Sequence, residues 1–210
     1  ERLPDAPDLA ASLERIKSEN PTPEARALAA LRLVQDEVRY MALTLGEGGW
    51  LPTSAQDVWA SRQGDCKGKT VLLVALLRAL DIDAVPVLVS SNNLPLDQYL
   101  PMVSVFDHVI VKARIGQQTY LMDGSRIGDR SLTPDAPLVH EYILPITGRA
   151  RLERVPLSLP SRPMGAMTVE IDLSEGVYSP ARVTITDIDR GDSATEMQAV
   201  AAQAPTTELT

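Results

Sequence analysis

One cysteine and two histidines in 210 residues leave little scope for covalent cross-links or bound metal. A lone Cys66 cannot close an internal disulfide, and with only His108 and His140 beside it the chain cannot furnish a closed structural zinc site of the Cys/His kind. That leaves Cys66 as a buried core residue, an accident of sequence, or a nucleophile. Basic stretches are also missing and the formal charge is −8, so nothing is available to neutralise phosphates and a nucleic-acid partner is excluded. No apolar run approaches the roughly 18 residues of a membrane span, and no signal peptide is visible. The chain begins at Glu1, and sequence beyond either end could carry a signal, an anchor or further domains. Internal repeats, low-complexity tracts and the dense acidic loop of a calcium site are lacking as well.

What is present has the balance of a soluble globular protein, 44% hydrophobic and 23% charged, with length enough for one ordinary domain plus an appendage. Residues 21–40 predict an amphipathic helix, with Thr22 as N-cap, Pro23 at the first helical position, and Leu28, Leu31, Val34 and Val38 at helical spacing. A glycine-rich loop follows from Thr44 to Pro52, then a short helix opened by Ser54 and Asp57 and ending near Arg62. From Cys66 to Leu80 the chain is apolar nearly all round after Thr70, which predicts a central, covered helix. Residues 84–90 read as a strand, 91–104 as an irregular polar loop, and 105–123 as two strands joined at a tight turn around Gly116. A proline-rich stretch near 156–163 marks a candidate boundary, followed by a second hairpin expected to turn at Glu175–Gly176 and a weakly helical tail from about Asp189.

The chemistry-bearing residues fall at the junctions of these elements. Cys66 stands where a loop becomes the apolar helix, so unpaired first-turn amides and the positive end of the helix dipole face its sulfur. A thiolate is favoured there, with Lys67 and Lys69 as possible contributors, and the same amides offer half of an oxyanion hole. Free cysteine is also among the most buried residue types, which is the bland alternative. A two-residue type II′ turn at Gly116–Gln117 would place His108 and Asp123 opposite or diagonal on one sheet face; a three-residue loop would separate them. An imidazole beside a carboxylate on paired strands is the orienting half of a triad, although a surface His–Asp pair would look the same in sequence. Gln63, Trp59 and Trp50 are candidate oxyanion or substrate-site donors, packing being the other role open to each Trp. Tyr40 could line the site. Asp107 should point to the opposite sheet face from His108, and His140 has no evident partner.

The segments RQGDCKGKTVLLVALLRALDIDA, FDHVIV and YLMDGS resemble the transglutaminase-like superfamily, specifically the bacterial domains found beside domains of unknown function in exported or membrane-linked proteins. The resemblance spans roughly residues 20–128. It implies an α+β, papain-like fold, in which a central helix carrying the cysteine packs on an antiparallel β-sheet, with a C-terminal β-hairpin extension. Residues 1–150 would then form the catalytic domain and 151–210 a β-rich extension or a truncated following domain. The roles implied are Cys66 as nucleophile, His108 as base and Asp123 as orienter, with no cofactor and no metal. Around those three residues the chain reads GDCKGKT, FDH and MDGS where the bacterial pattern usually reads GDCKDKA, FNH and LDPT. The expected function is a cysteine-dependent acyl-transfer enzyme acting on amide or peptide bonds of a peptide or protein substrate through a thioester, foremost a hydrolase. Protein-glutamine γ-glutamyltransfer and a non-catalytic peptide-binding or scaffold role are the alternatives. A periplasmic or exported location is implied by the resemblance alone, and a single cysteine is equally compatible with the cytoplasm.

Overall fold

The structure is a computed structural model describing residues 2–42, 49–132, 140–156, 162–191, 193, 194 and 197. Most of the glycine-rich loop, much of the proline-rich stretch and most of the C-terminal tail lie outside the described residues. Contacts divide the chain into two units, one of Glu1–Leu132 and Leu138–Leu157, the other of Thr133–Pro137 and Ser158–Thr210.

The first unit opens with two helices, α1 (Pro7–Glu19) and α2 (Pro23–Glu37), each with proline in its first turn where no backbone donor is needed. Leu9, Leu13 and Ile16 recur on one face of α1 and are buried, a helix the sequence reading passed over although its apolar spacing and Pro7 announce it. Thr22 caps α2 as expected, its hydroxyl accepting from the Ala25 amide at 3.2 Å. A two-residue strand β1 (Arg39–Tyr40), helix α3 (Ala55–Ser61) and a second short strand β2 (Gln63–Gly64) come next, with β1 and β2 pairing in parallel. Ser54 caps α3 by accepting from the Asp57 amide at 3.1 Å, and Arg62 ends it in the left-handed conformation at φ 55°.

Helix α4 (Cys66–Ala79) is the centre of the unit. Leu72, Leu73, Val74, Ala75, Leu76 and Leu77 are all buried, so its neighbours cover it on most sides, as its continuous apolar run requires. Asp65 starts the helix: its carboxylate accepts from the Gly68 amide at 2.9 Å, which satisfies one of the donors that a helix leaves open.

A five-stranded sheet lies beside these helices in the order β5–β4–β3–β6–β7. Its members are β3 (Asp83–Val89), β4 (His108–Ile115), β5 (Gln118–Met122), β6 (Tyr142–Pro145) and β7 (Glu153–Arg154), and every pairing is antiparallel. Between β3 and β4 the polar segment makes two single 3-10 turns, at Leu96–Gln98 and Val103–Val105. Val111, Ala113, Ile115 and Met122 join the helices in the main core, while Ile110, Val87, Val89 and Ile143 form a smaller cluster. The α+β arrangement of a cysteine-bearing central helix with an antiparallel sheet is thus the observed architecture.

The second unit contains the hairpin β8 (Gly165–Asp172) and β9 (Arg182–Asp189). Its register pairs Ile171 with Val183 and Val169 with Ile185, and every residue of both strands is exposed. The connection runs over residues 173–181 and contains the expected turn position, where the Gly176 amide donates to the Leu173 carbonyl at 2.9 Å. Gly176 does adopt φ 96° there, but Pro180, which has no amide to donate, stands in the stretch expected to begin the second strand.

Gly68 lets α3 pack tightly on α4, since a methyl group there would come within 2.8 Å of Val58 Cγ2. Val58 is fully buried and β-branched, so it has little freedom to move aside. Overpacking should cost Gly68→Ala about 1–3 kcal/mol, which exceeds the up to about 1 kcal/mol of helix propensity that alanine gains, so urea unfolding should show a net loss. A neutral or stabilised variant would show that α3 yields readily.

Candidate active site

The Asp65 cap sets the local chemistry of Cys66, the first residue of α4. Asp65 uses the Gly68 amide, and its backbone carbonyl takes the Lys69 amide, so the amides of Cys66 and Lys67 are the first-turn donors left to face a substrate oxygen. Cys66 is partly exposed and in no disulfide, as a nucleophile must be. Lys67 pairs with the Asp65 carboxylate, so its charge is engaged by the cap rather than free beside the sulfur, where the sequence had suggested it could contribute.

His108 opens β4 and Asp123 follows β5, and the turn between those strands decides whether they meet. Ile115 pairs with Gln118 across Gly116–Gln117, with positive φ only at Gly116 (60°), the pattern of a type II′ turn. Continued outward past the Val111–Met122 pair, that register leaves positions 108 and 123 diagonal on one face. His108 Nε2 lies 2.7 Å from Asp123 Oδ2. An imidazole has two ring nitrogens, which leaves Nδ1 for Cys66.

The electrostatics follow from that geometry. Burial works against a charged His108, but hydrogen bonds to Asp123 and Cys66, and then their negative charges, outweigh it and raise its pKa from 6.5 to about 10. A pKa raised in the folded state adds stability that is complete below about pH 6.5 and is lost as pH rises towards 10. For Asp123, burial raises the pKa, while the bond and charge of His108 and two bonds from Ser125 bring it below the ordinary carboxylate value. Its contribution therefore persists above the ordinary value of 3.8 and fades only as pH falls through the lowered one.

Several supports of this pair were not apparent in the sequence. Thr70, one turn beyond Cys66, donates its hydroxyl to the Val109 carbonyl at 3.1 Å and so ties the helix of Cys66 to the residue after His108. Gln35, buried on α2, donates to the Asp123 carbonyl at 2.9 Å and to Asp129 at 2.7 Å. Ser125 donates from its amide (2.8 Å) and hydroxyl (2.6 Å) to Asp123 Oδ1, leaving Oδ2 for the histidine. These contacts join residues up to 94 positions apart, which no local pattern encodes. Asp107, which departs from the familiar FNH pattern, accepts from the Ser91 amide at 2.7 Å and hydroxyl at 2.5 Å. His140 does have a partner, the Ser90 carbonyl at 3.3 Å from Nδ1, so both residues brace the turn that leaves β3 beside His108.

The other sequence candidates separate. Tyr40 on β1 is half-exposed, and its phenol is pushed above its usual pKa by burial and by the negative charges of Cys66, Asp65 and Asp123. Tyr40 and the exposed Gln63 line a cleft of about 670 Å³ that also touches Lys69 and Ser125. Trp59 is buried, with its single N–H donor committed to Asp8 on α1 at 3.2 Å and its ring stacked by Arg62 at 3.3 Å. That donor is not free for an oxyanion, a correction that follows from the unread helix α1. Trp50 is 77% exposed, with no bond that places it at the site. Among the described residues no group of three His, Cys, Asp or Glu side chains could hold a metal ion, and no helix is long and apolar enough to cross a membrane.

Comparisons with known proteins bear on the fold that carries these residues. The sequence model of the Transglutaminase-like superfamily matches residues 10–118. A candidate protease from Parabacteroides distasonis has a crystal structure that aligns with a TM-score of 0.52 at 12% identity, covering 82% of this chain and 35% of its own. A candidate cysteine protease from Cytophaga hutchinsonii aligns with a TM-score of 0.39 at 18% identity, covering 86% of this chain and 52% of its own. This chain therefore spans about a third of one and half of the other. No curated protein matches it.

With two histidines in the chain, imidazole NMR gives two titrations. His108 should remain protonated well past pH 8, whereas His140 should titrate below 6.5, because burial and the nearby His108 charge outweigh its carbonyl partner and the surrounding carboxylates. Two ordinary titrations near pH 6.5 would refute this electrostatic arrangement.

Proposed function

The chain belongs to the transglutaminase-like superfamily, and from that premise we propose that it is a cysteine-dependent acyl-transfer enzyme that hydrolyses amide or peptide bonds through a thioester on Cys66. The observation that carries this reading is His108, whose Nε2 lies 2.7 Å from Asp123 Oδ2 and whose pKa is raised to about 10, against its burial, by Asp123 and Cys66. Fold likeness alone would not assign an activity.

The thiolate of Cys66 attacks the carbonyl carbon; a C–S bond forms and the carbonyl electron pair moves onto oxygen. The free amides at the start of α4 receive that oxyanion, where the helix dipole also favours negative charge. His108 gives its proton to the departing nitrogen as the C–N bond breaks, while Asp123 keeps the ring in place. In the second half, water loses a proton to His108 and attacks the thioester, releasing the acid and regenerating Cys66. An amine in place of water would yield transamidation with the same three groups. Peptide or protein is the proposed substrate, and the cleft bordered by Tyr40, Gln63 and Ser125 is the proposed place for part of it.

Incubation with a mixture of unstructured peptides, read by mass spectrometry, should show new N-termini that Cys66→Ala does not produce. His108→Ala should slow their appearance at least about a hundredfold. Equal cleavage by folded Cys66→Ala would overturn the proposal, and peptide–amine conjugates formed in added amine, without new termini, would redirect it to transamidation.

A further inference from the structure

Lys69 is the one lysine whose side chain is almost wholly removed from solvent, at 1% exposure, and the chemistry above does not use it. Burying an ammonium is costly, and methionine would fill the same space without that cost. Room has been made for the side chain: its stem runs past Gly64, where an added methyl would lie 3.4 Å from Lys69 Cγ, and past Gly124, where one would lie 3.6 Å from Lys69 Cβ. Its amine donates to the Val38 carbonyl at 2.5 Å, where α2 gives way to the strand carrying Tyr40. Gly124, on which it packs, is the residue after Asp123, and the charges of Asp123 and of Asp36 on α2 both act on the ammonium. Burial lowers the pKa of Lys69, and those two charges oppose the shift.

A bond to one backbone carbonyl would need only a neutral donor. A positive charge adds something a neutral donor cannot, because Asp123 is also the carboxylate that holds the imidazolium of His108. We propose that Lys69 is a positioning residue of the triad, its buried ammonium sharing the charge of Asp123 so that His108 is not held too tightly to release its proton. This rests on the Cys66–His108–Asp123 reading above. The other groups bearing on His108 are Cys66 and Asp107, both negative when ionised, and His140, whose lowered pKa leaves it neutral. Among the described residues Lys69 is the one fully buried cation, and it packs against the residue that follows Asp123.

The test is the NMR titration of His108 in the wild type and in Lys69→Met, with the thermal midpoint recorded for each. Loss of the cation should strengthen the hold of Asp123 and move the His108 titration upward by roughly half a pH unit or more. A wild-type His108 that titrates near 6.5 defeats the triad reading itself. A raised wild-type value that Lys69→Met leaves unchanged in a folded variant overturns the role of Lys69 alone. Should Lys69→Met not fold, the Lys69 Cε titration in Asp123→Asn replaces it, since charge coupling is reciprocal. Neutralising Asp123 must then lower the lysine's titration, and an unchanged one overturns the proposal.

Discussion

The burial of α4 against the sheet is the constraint from which the rest follows. A helix apolar on nearly every side can be stable only where α2, α3 and the strands β3 and β4 cover it, and that cover places its first residue beside the first residue of β4. The Thr70–Val109 bond then fixes the height of the helix along the strand. Cys66 and His108 are brought together by elements of the buried core. Their proximity is a by-product of core packing, which holds the two side chains without a loop having to order around them.

The charges are arranged with the same economy. Asp65 is a helix cap, but it also engages Lys67 and uses two first-turn amides, so the donors left for an oxyanion are set by the cap. Asp123 divides its two oxygens, one for Ser125 and one for His108, and Gln35 holds its backbone. Each carboxylate near the site is thus oriented by at least one donor from elsewhere in the chain. The substitutions around the familiar motif fit this pattern: Gly68 makes room for Val58, Ser125 satisfies the second oxygen of Asp123, and Asp107 braces the Ser91 turn.

The parts legible in the sequence were those that a short window encodes. Thr22 and Ser54 marked helix starts, the apolar run after Cys66 marked the central helix, and a glycine at 116 limited the turn enough to relate His108 to Asp123. What escaped was long-range. The two-residue strands β1 and β2 have no periodicity to read, Gln35 acts through residues 88 and 94 positions away, and the real partner of Trp59 sits on a helix 51 positions earlier. Lys69 was read with Lys67 as a contributor beside the sulfur, and its burial escaped because sequence carries no record of the space that Gly64 and Gly124 leave open.

The central claim is that Cys66, His108 and Asp123 act as one unit, and a double-mutant cycle on the alkylation of the single cysteine tests it most directly. Iodoacetamide rates would be measured at pH 7 for wild type, His108→Ala, Asp123→Asn and the double variant. If Asp123 acts through His108, the double variant reacts no more slowly than His108→Ala, since the carboxylate has nothing left to orient. Additive losses, or a wild-type rate no faster than that of a free thiol, would contradict the account.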